Sequence, residues 1–338
     1  NEGNLELVSE VPTGVSPRAV AIADFDDNGQ LEAAVINRDS SYVSILPTHG
    51  APSALSKLDQ VYATDGEVTR LQLADNDRDG REDVVQLHRA SGEFIVRFSR
   101  ERGVLSEPVY FPMFTNPSAA KSVDLDGDGL KDMIAANLNP PGAITVLIAN
   151  EEGFQDPISY ELPEKDGGRG LFAIEPGDFN NDGKLDIAAG YFDCRLAFYE
   201  GDGTGKFTYV RNTFFTYESR VMTAGDFDND GDTDLAGAGY AGDTVVLENR
   251  GNLLTDVDAP RWDYRPDSDS KIGTREIKST DFNGDGDLDL IIGTGRGAVV
   301  RLGRTGMLFE DKTLLVPGTE FPTSGLTTTD FDGDGIPD

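Results

Sequence analysis

The sequence predicts an all-β fold, a seven-bladed β-propeller of four-stranded blades, on three observations. An acidic nine-residue motif returns seven times across 338 residues, at intervals of 48 to 55 residues. Short apolar runs rich in Ala, Gly, Ile and Val flank each copy, as strands buried on both faces require. The 39 glycines and 17 prolines suit a chain with many tight turns. A period of this length, with several strands per unit, is the mark of propellers and solenoids.

The motif is clearest at Asp226-Phe227-Asp228-Asn229-Asp230-Gly231-Asp232-Thr233-Asp234. Carboxylates stand at positions 1, 3, 5 and 9, and glycine at position 6 permits a turn that a Cβ would hinder. Oxygens at 1, 3, 5 and 9, with the carbonyl of position 7, suit Ca²⁺, which takes six to eight oxygen ligands in loose geometry. An EF-hand would place a glutamate at position 12, where this chain has Gly237. The expected metal ligands are Asp24, Asp26, Asn28 and Glu32 in loop 1; Asp75, Asp77, Asp79 and Asp83 in loop 2; and Asp124, Asp126, Asp128 and Asp132 in loop 3. Loop 4 offers Asp178, Asn180, Asp182 and Asp186, and loop 5 Asp226, Asp228, Asp230 and Asp234. Loop 6 offers Asp281, Asn283, Asp285 and Asp289, and loop 7 Asp330, Asp332, Asp334 and Asp338. Up to seven structural calcium ions are expected. Without a cation the clustered carboxylates would repel one another, so a plain Asp-Gly hairpin turn explains the spacing less well.

Each unit reads as strands A to D with the acidic loop between A and B. In blade one these are 19–23, 32–36, 42–46 and a strand near 58–62. The single domain expected over 1–338 closes on a split blade: an outer strand at about 5–11, and an inner strand with its loop at about 324–338. The chain stops at the ninth residue of loop 7, so strands B and C of that blade are expected beyond it.

The formal charge of −32 argues against nucleic acid and anionic membrane as partners. No apolar run is long enough to span a bilayer, so no direct membrane insertion is expected. The lone Cys194 excludes an internal disulfide and reads as a small apolar residue at a strand end. Dependence on calcium fits a secreted or cell-surface protein, extracellular or periplasmic, although no leader is visible.

Ala224-Gly225-Asp226-Phe227-Asp228-Asn229-Asp230-Gly231 and Asp281-Phe282-Asn283-Gly284-Asp285-Gly286-Asp287-Leu288-Asp289 carry a family resemblance. The units resemble the FG-GAP/VCBS repeats of integrin α-chain propellers and of many bacterial surface and secreted proteins. The resemblance spans essentially the whole chain and implies the propeller fold. It implies less about function, because that family includes adhesion modules, lectins and a few polysaccharide lyases.

The D–A and B–C connections lie on the propeller face opposite the acidic loops, where a partner is expected to dock. Tyr217, Tyr240, Trp262 and Tyr264 fall there and suit the faces of sugar rings. Arg18, Arg220 and Arg275 stand six residues ahead of their loops and Arg70 five ahead, a candidate ring of guanidinium groups for an anionic ligand. Packing of the aromatics within blades, and pairing of the arginines with neighbouring acids, are the structural alternatives. Only His49 and His88 exist, neither in a context that suggests a triad. The expected function is therefore an extracellular, calcium-stabilised binding or adhesion module for a glycan or protein ligand. The alternatives are a lyase-like enzyme acting on an acidic polysaccharide, and a structural spacer in a larger surface protein.

Overall fold

The computed structural model describes residues 17–24, 32–37, 42–47, 61–63, 68–88, 91–100, 104–113, 116–139, 142–150, 153–161, 170–192, 194–215, 220–239, 243–256, 261–264, 273–294, 297–304 and 306–310, with 326 and 328. Among them every regular element is a β-strand, and no helix is long and apolar enough to cross a membrane. The chain divides into two compact units between Gly170 and Leu171.

The first unit carries three four-stranded antiparallel sheets. They are β1 (Pro17–Ala23), β2 (Glu32–Asn37), β3 (Tyr42–Pro47) and β4 (Val61–Ala63); then β5 (Val68–Ala74), β6 (Asp83–His88), β7 (Glu93–Arg97) and, past the small hairpin β8 (Ser99–Arg100) and β9 (Val104–Leu105), β10 (Val109–Pro112). The third combines β11 (Pro117–Val123), β12 (Asp132–Asn137) and β13 (Ala143–Leu147) with β16 (Ile158–Glu161), after a hairpin of β14 (Ala149–Asn150) and β15 (Gly153–Phe154). The second unit repeats the pattern without the extra hairpins. Its blades are β17 (Leu171–Gly177), β18 (Asp186–Tyr191), β19 (Arg195–Gly201) and β20 (Phe207–Phe214); β21 (Val221–Gly225), β22 (Asp234–Ala238), β23 (Thr244–Leu247) and β24 (Arg261–Tyr264); and β25 (Thr274–Thr280), β26 (Asp289–Thr294), β27 (Gly297–Arg304) and β28 (Leu308–Glu310).

These are β-propeller blades, and six of them are described where seven were expected. The expected outer strand at 5–11 and loop 7 lie outside the described residues. Leu326 is described, and it packs against Phe282, Ile291, Val300 and Leu302 of the sixth blade. It stands four residues ahead of its loop, as Met222 and Ile277 do.

The second strand of every blade is buried along most of its length, which is why its sequence is a short apolar run. The cores lie between successive blades. Phe179, Phe198 and Phe215 of the fourth blade meet Met222, Leu235, Val245 and Leu253 of the fifth. Phe227 of the fifth blade meets Ile277, Leu290 and Ile292 of the sixth. In loops 3 to 6 the second residue of the motif therefore serves packing, while loop 2 has the buried, hydrogen-bonded Asn76 there. Phe179, Phe227 and Phe282 enter these cores, and Leu125 is buried in the same place.

Arg211 on β20 fastens the fourth blade to the turn of the fifth. Its Nε donates to the carbonyl of Leu254 at 2.6 Å, and its Nη2 to those of Leu253 and Asp256 at 2.8 Å. The guanidinium carbon also lies 5.0 Å from the centroid of Phe198. Arg211→Ala would leave three carbonyls without their donor and is expected to cost about 2–4 kcal/mol in urea unfolding. Arg211→Lys should recover under half of that, since an ammonium cannot reproduce the fork.

Candidate functional site

Five acidic loops are described in full, and all five use one hydrogen-bond scheme. The first aspartate takes the glycine N–H of position 6: Asp75 from Gly80 at 3.0 Å, and Asp124, Asp178, Asp226 and Asp281 from their glycines at 2.9 Å. The position 3 side chain accepts from the N–H of position 5, and position 5 from that of position 7. Position 6 has φ between 81° and 93° in every copy, and nothing but one arginine tip lies near the place of a Cβ. Backbone conformation, rather than space, therefore calls for glycine there. Position 4 is left-handed as well, filled by Arg78, Gly127, Asn181, Asn229 and Gly284. The frequency of Asn and Gly at that position was the sequence signal for it.

The ninth residue plays a part that spacing alone did not reveal. Asp83, Asp132, Asp186, Asp234 and Asp289 are fully buried. In each, one oxygen accepts the N–H of position 2 and the other accepts an N–H at or just past the end of the blade's third strand. For Asp234 these are Phe227 and Asn249, at 2.8 and 2.7 Å. The pairs in the other blades are Asn76 with Ser99, Leu125 with Ala149, Phe179 with Gly201, and Phe282 with Gly303. Burial pushes these carboxyls up, Asp83 to about 7, Asp234 to about 8 and the other three to about 6.

The donor set fits a hard divalent cation. Carboxylate oxygens of Asp75, Asp77 and Asp83 lie within 4.8 Å of one another, as do those of Asp124, Asp126 and Asp132, and of Asp226, Asp228 and Asp230. Every donor is oxygen, which selects calcium or magnesium over thiophilic metals. A cation in such a group would hold the buried ninth carboxylate ionised. Asn180 and Asn283 replace one carboxylate in loops 4 and 6. In loop 1, Asp24 and the buried Glu32 are described, while Asp26 and Asn28 are not. Asp330, Asp332, Asp334 and Asp338 of loop 7 also lie outside the described residues.

At the other end of the blades, strand register decides which of the expected arginines are equivalent. Strand pairing is irregular between Pro17 and Ala19, Val68 and Arg70, Pro117 and Ala119, Leu171 and Ala173, and Thr274 and Glu276. Arg18, Thr69, Ser118, Phe172 and Arg275 are thus equivalent. Arg220 holds the same distance from its loop, just ahead of β21. Arg70 pairs with Leu87 in regular register, one residue off, and does not belong to the set. By register only Arg18, Arg220 and Arg275 hold the equivalent position, and Arg70 stands one residue beyond it.

Trp262 does not lie in a connection. It sits within β24 opposite Val246, packs on the core between the fifth and sixth blades, and directs Nε1 to Glu248 at 3.4 Å. Phe215, just past β20, is fully buried, and so is His88 at the end of β6. Tyr264 is described only as part of β24, and Tyr217 and Tyr240 lie outside the described residues.

The second unit does bring the expected Arg220 together with two aromatics, Phe172 and Phe192. Phe172 is the second residue of β17, Phe192 follows β18 and Arg220 precedes β21, so all three lie at blade ends away from the acidic loops. The Arg220 guanidinium carbon is 5.2 Å from the Phe172 centroid, and the Phe172 and Phe192 rings are 5.3 Å apart. Phe192 is 39% exposed.

The model of the FG-GAP-like repeat matches residues 124–189, 178–237 and 281–338. No curated protein matches the chain. Among solved structures, BBS1N in complex with ARL6DN is similar over 94% of this chain and 87% of its own, with TM-score 0.64 and 11% identity. An Agrocybe aegerita lectin, described for recognition of non-reducing terminal N-acetylglucosamine, is similar over 91% and 84%, with TM-score 0.61 and 15% identity. A Lactobacillus plantarum protein is similar over 89% and 82%, with TM-score 0.55 and 12% identity. At these identities the likeness concerns the fold. The segments that match the repeat model together span just over half of the sequence, and the chain belongs to the FG-GAP-like repeat family.

Proposed function

We propose that this chain is an extracellular, calcium-stabilised module that binds a glycan through the blade ends opposite its acidic loops. The observation that carries the reading is the Phe172–Phe192–Arg220 group. A partly exposed aromatic pair offers a stacking surface, and a guanidinium beside it supplies a fork for hydroxyl or carboxylate oxygens. The fold neighbours point the same way. One is described as a lectin, and another is held in a protein complex, so a protein ligand is the second choice. In this reading each complete loop takes one calcium ion. The same reading counts a seventh repeat, supported by the packing of Leu326 on the sixth blade.

The test is a glycan array in millimolar calcium with Arg220→Ala and Phe192→Ala variants. Either substitution is expected to weaken binding about tenfold or more. Trp262→Ala should lower stability instead, because the indole is part of a core. Glycan binding that survives both Arg220→Ala and Phe192→Ala would remove this group from the site. An array without any signal, followed by capture of a protein ligand, would replace the glycan.

A further inference from the structure

Within each unit the acidic loops touch one another through their fourth residues, which are not themselves ligands. Asn181, fourth in loop 4, donates Nδ2 to the carboxylate of Asp232, seventh in loop 5, at 2.5 Å. Asn229, fourth in loop 5, donates in the same way to Asp287, seventh in loop 6, at 2.6 Å. In the first unit Arg78, fourth in loop 2, donates to the carbonyl of Asp128 in loop 3 and pairs with its carboxylate at 3.4 Å. The series is interrupted where position 4 has no side chain, at Gly127 of loop 3 and Gly284 of loop 6.

The recipients of these contacts matter. Asp232 and Asp287 are the residues whose carbonyls would complete an ion's oxygen shell. Their own N–H groups donate to the position 5 carboxylates, Asp230 and Asp285, both at 2.9 Å. A loop fixed around its ion thus holds its left-handed fourth residue still. Through that residue it holds the seventh residue of the next loop in the second unit, and the fifth, Asp128, in the first. Ordering entropy spent at one loop need not be spent again at its neighbour, which produces coupling between sites without any change of fold.

We propose that the loops fill with calcium in two linked groups, loops 2 and 3, and loops 4, 5 and 6, with Arg78, Asn181 and Asn229 as positioning residues between sites. The proposal rests on the calcium reading above.

Isothermal titration of calcium into chelator-stripped protein tests both, comparing wild type with an Asn181→Gly/Asn229→Gly variant. Glycine suits the positive φ of these positions, 59° and 62°, and already serves there in loops 3 and 6. The wild type is expected to bind more steeply than independent sites would. The variant should take up the same number of ions with that steepness reduced, and its half-saturating calcium should rise about fivefold for the linked loops. Asn229→Gly alone should give a smaller shift, because only loop 6 is released. Identical stoichiometry, midpoint and steepness in wild type and variant would overturn the coupling while leaving calcium binding in place. A wild type that takes up no calcium would overturn both.

Discussion

Replacing Asp234 by alanine is expected to destabilise the protein by about 3–5 kcal/mol, a large part of the stability of an ordinary domain. The side chain is fully buried and divides its two oxygens between the N–H groups of Phe227 and Asn249. Removing it leaves two buried donors without an acceptor, on opposite sides of one blade. Asn249 also reaches across to the preceding blade, where its Nδ2 donates to the carbonyl of Phe179 at 3.3 Å. The damage should therefore spread to the core that Phe179 shares. The near-isosteric Asp234→Asn is informative because shape is kept and one oxygen is lost. Its amide nitrogen must face one of the two N–H groups, so it should cost nearly as much as alanine. Urea denaturation of both variants checks this, and an asparagine variant close to wild type would mean that the two hydrogen bonds are not the anchor.

Removal of calcium is the second large effect. Chelation is expected to lower the melting temperature by about 10 °C or more, since several sites each contribute in proportion to the logarithm of free calcium over its dissociation constant. The midpoint should recover on adding calcium and respond far less to magnesium, whose tighter octahedral demand the loops do not meet as readily. High salt should soften the effect of chelation by screening the exposed carboxylates, but it cannot relieve the buried ninth one. Scanning calorimetry with and without EDTA reads this directly. A melting temperature indifferent to EDTA would count against calcium at these loops.

The blade pattern was legible because two periodicities reinforce each other, the return of the acidic motif and the short apolar run behind it. Six blades appear where that reading put them, and the strand bounds differ mainly in the outer strands, as with Val61–Ala63 against the expected 58–62. The loop glycines were legible too, since a left-handed turn admits few other residues. What could not be read was the second duty of a residue that already had one. Asp234 fitted a ligand position, and nothing in its spacing announced the two N–H groups it holds. Phe227 sat between acids and appeared incidental, while its ring fills the core between blades. At the opposite end the reading was weaker because it relied on which loop a residue occupies. A shift of one residue moved Arg70 out of the arginine set, and an extension of β24 drew Trp262 into the packing.

Within each unit, the placement of cores between blades makes a repeat the tenant of its neighbour. Among the described residues most of a blade's core is shared with a neighbour in its own unit, so an isolated repeat would expose apolar surface and has little reason to fold. A gene duplication could lengthen such a chain only by a unit whose two flanks both match. Repeats should thus be interchangeable in adjacent pairs more readily than singly. A lesion confined to one blade is in practice shared by two.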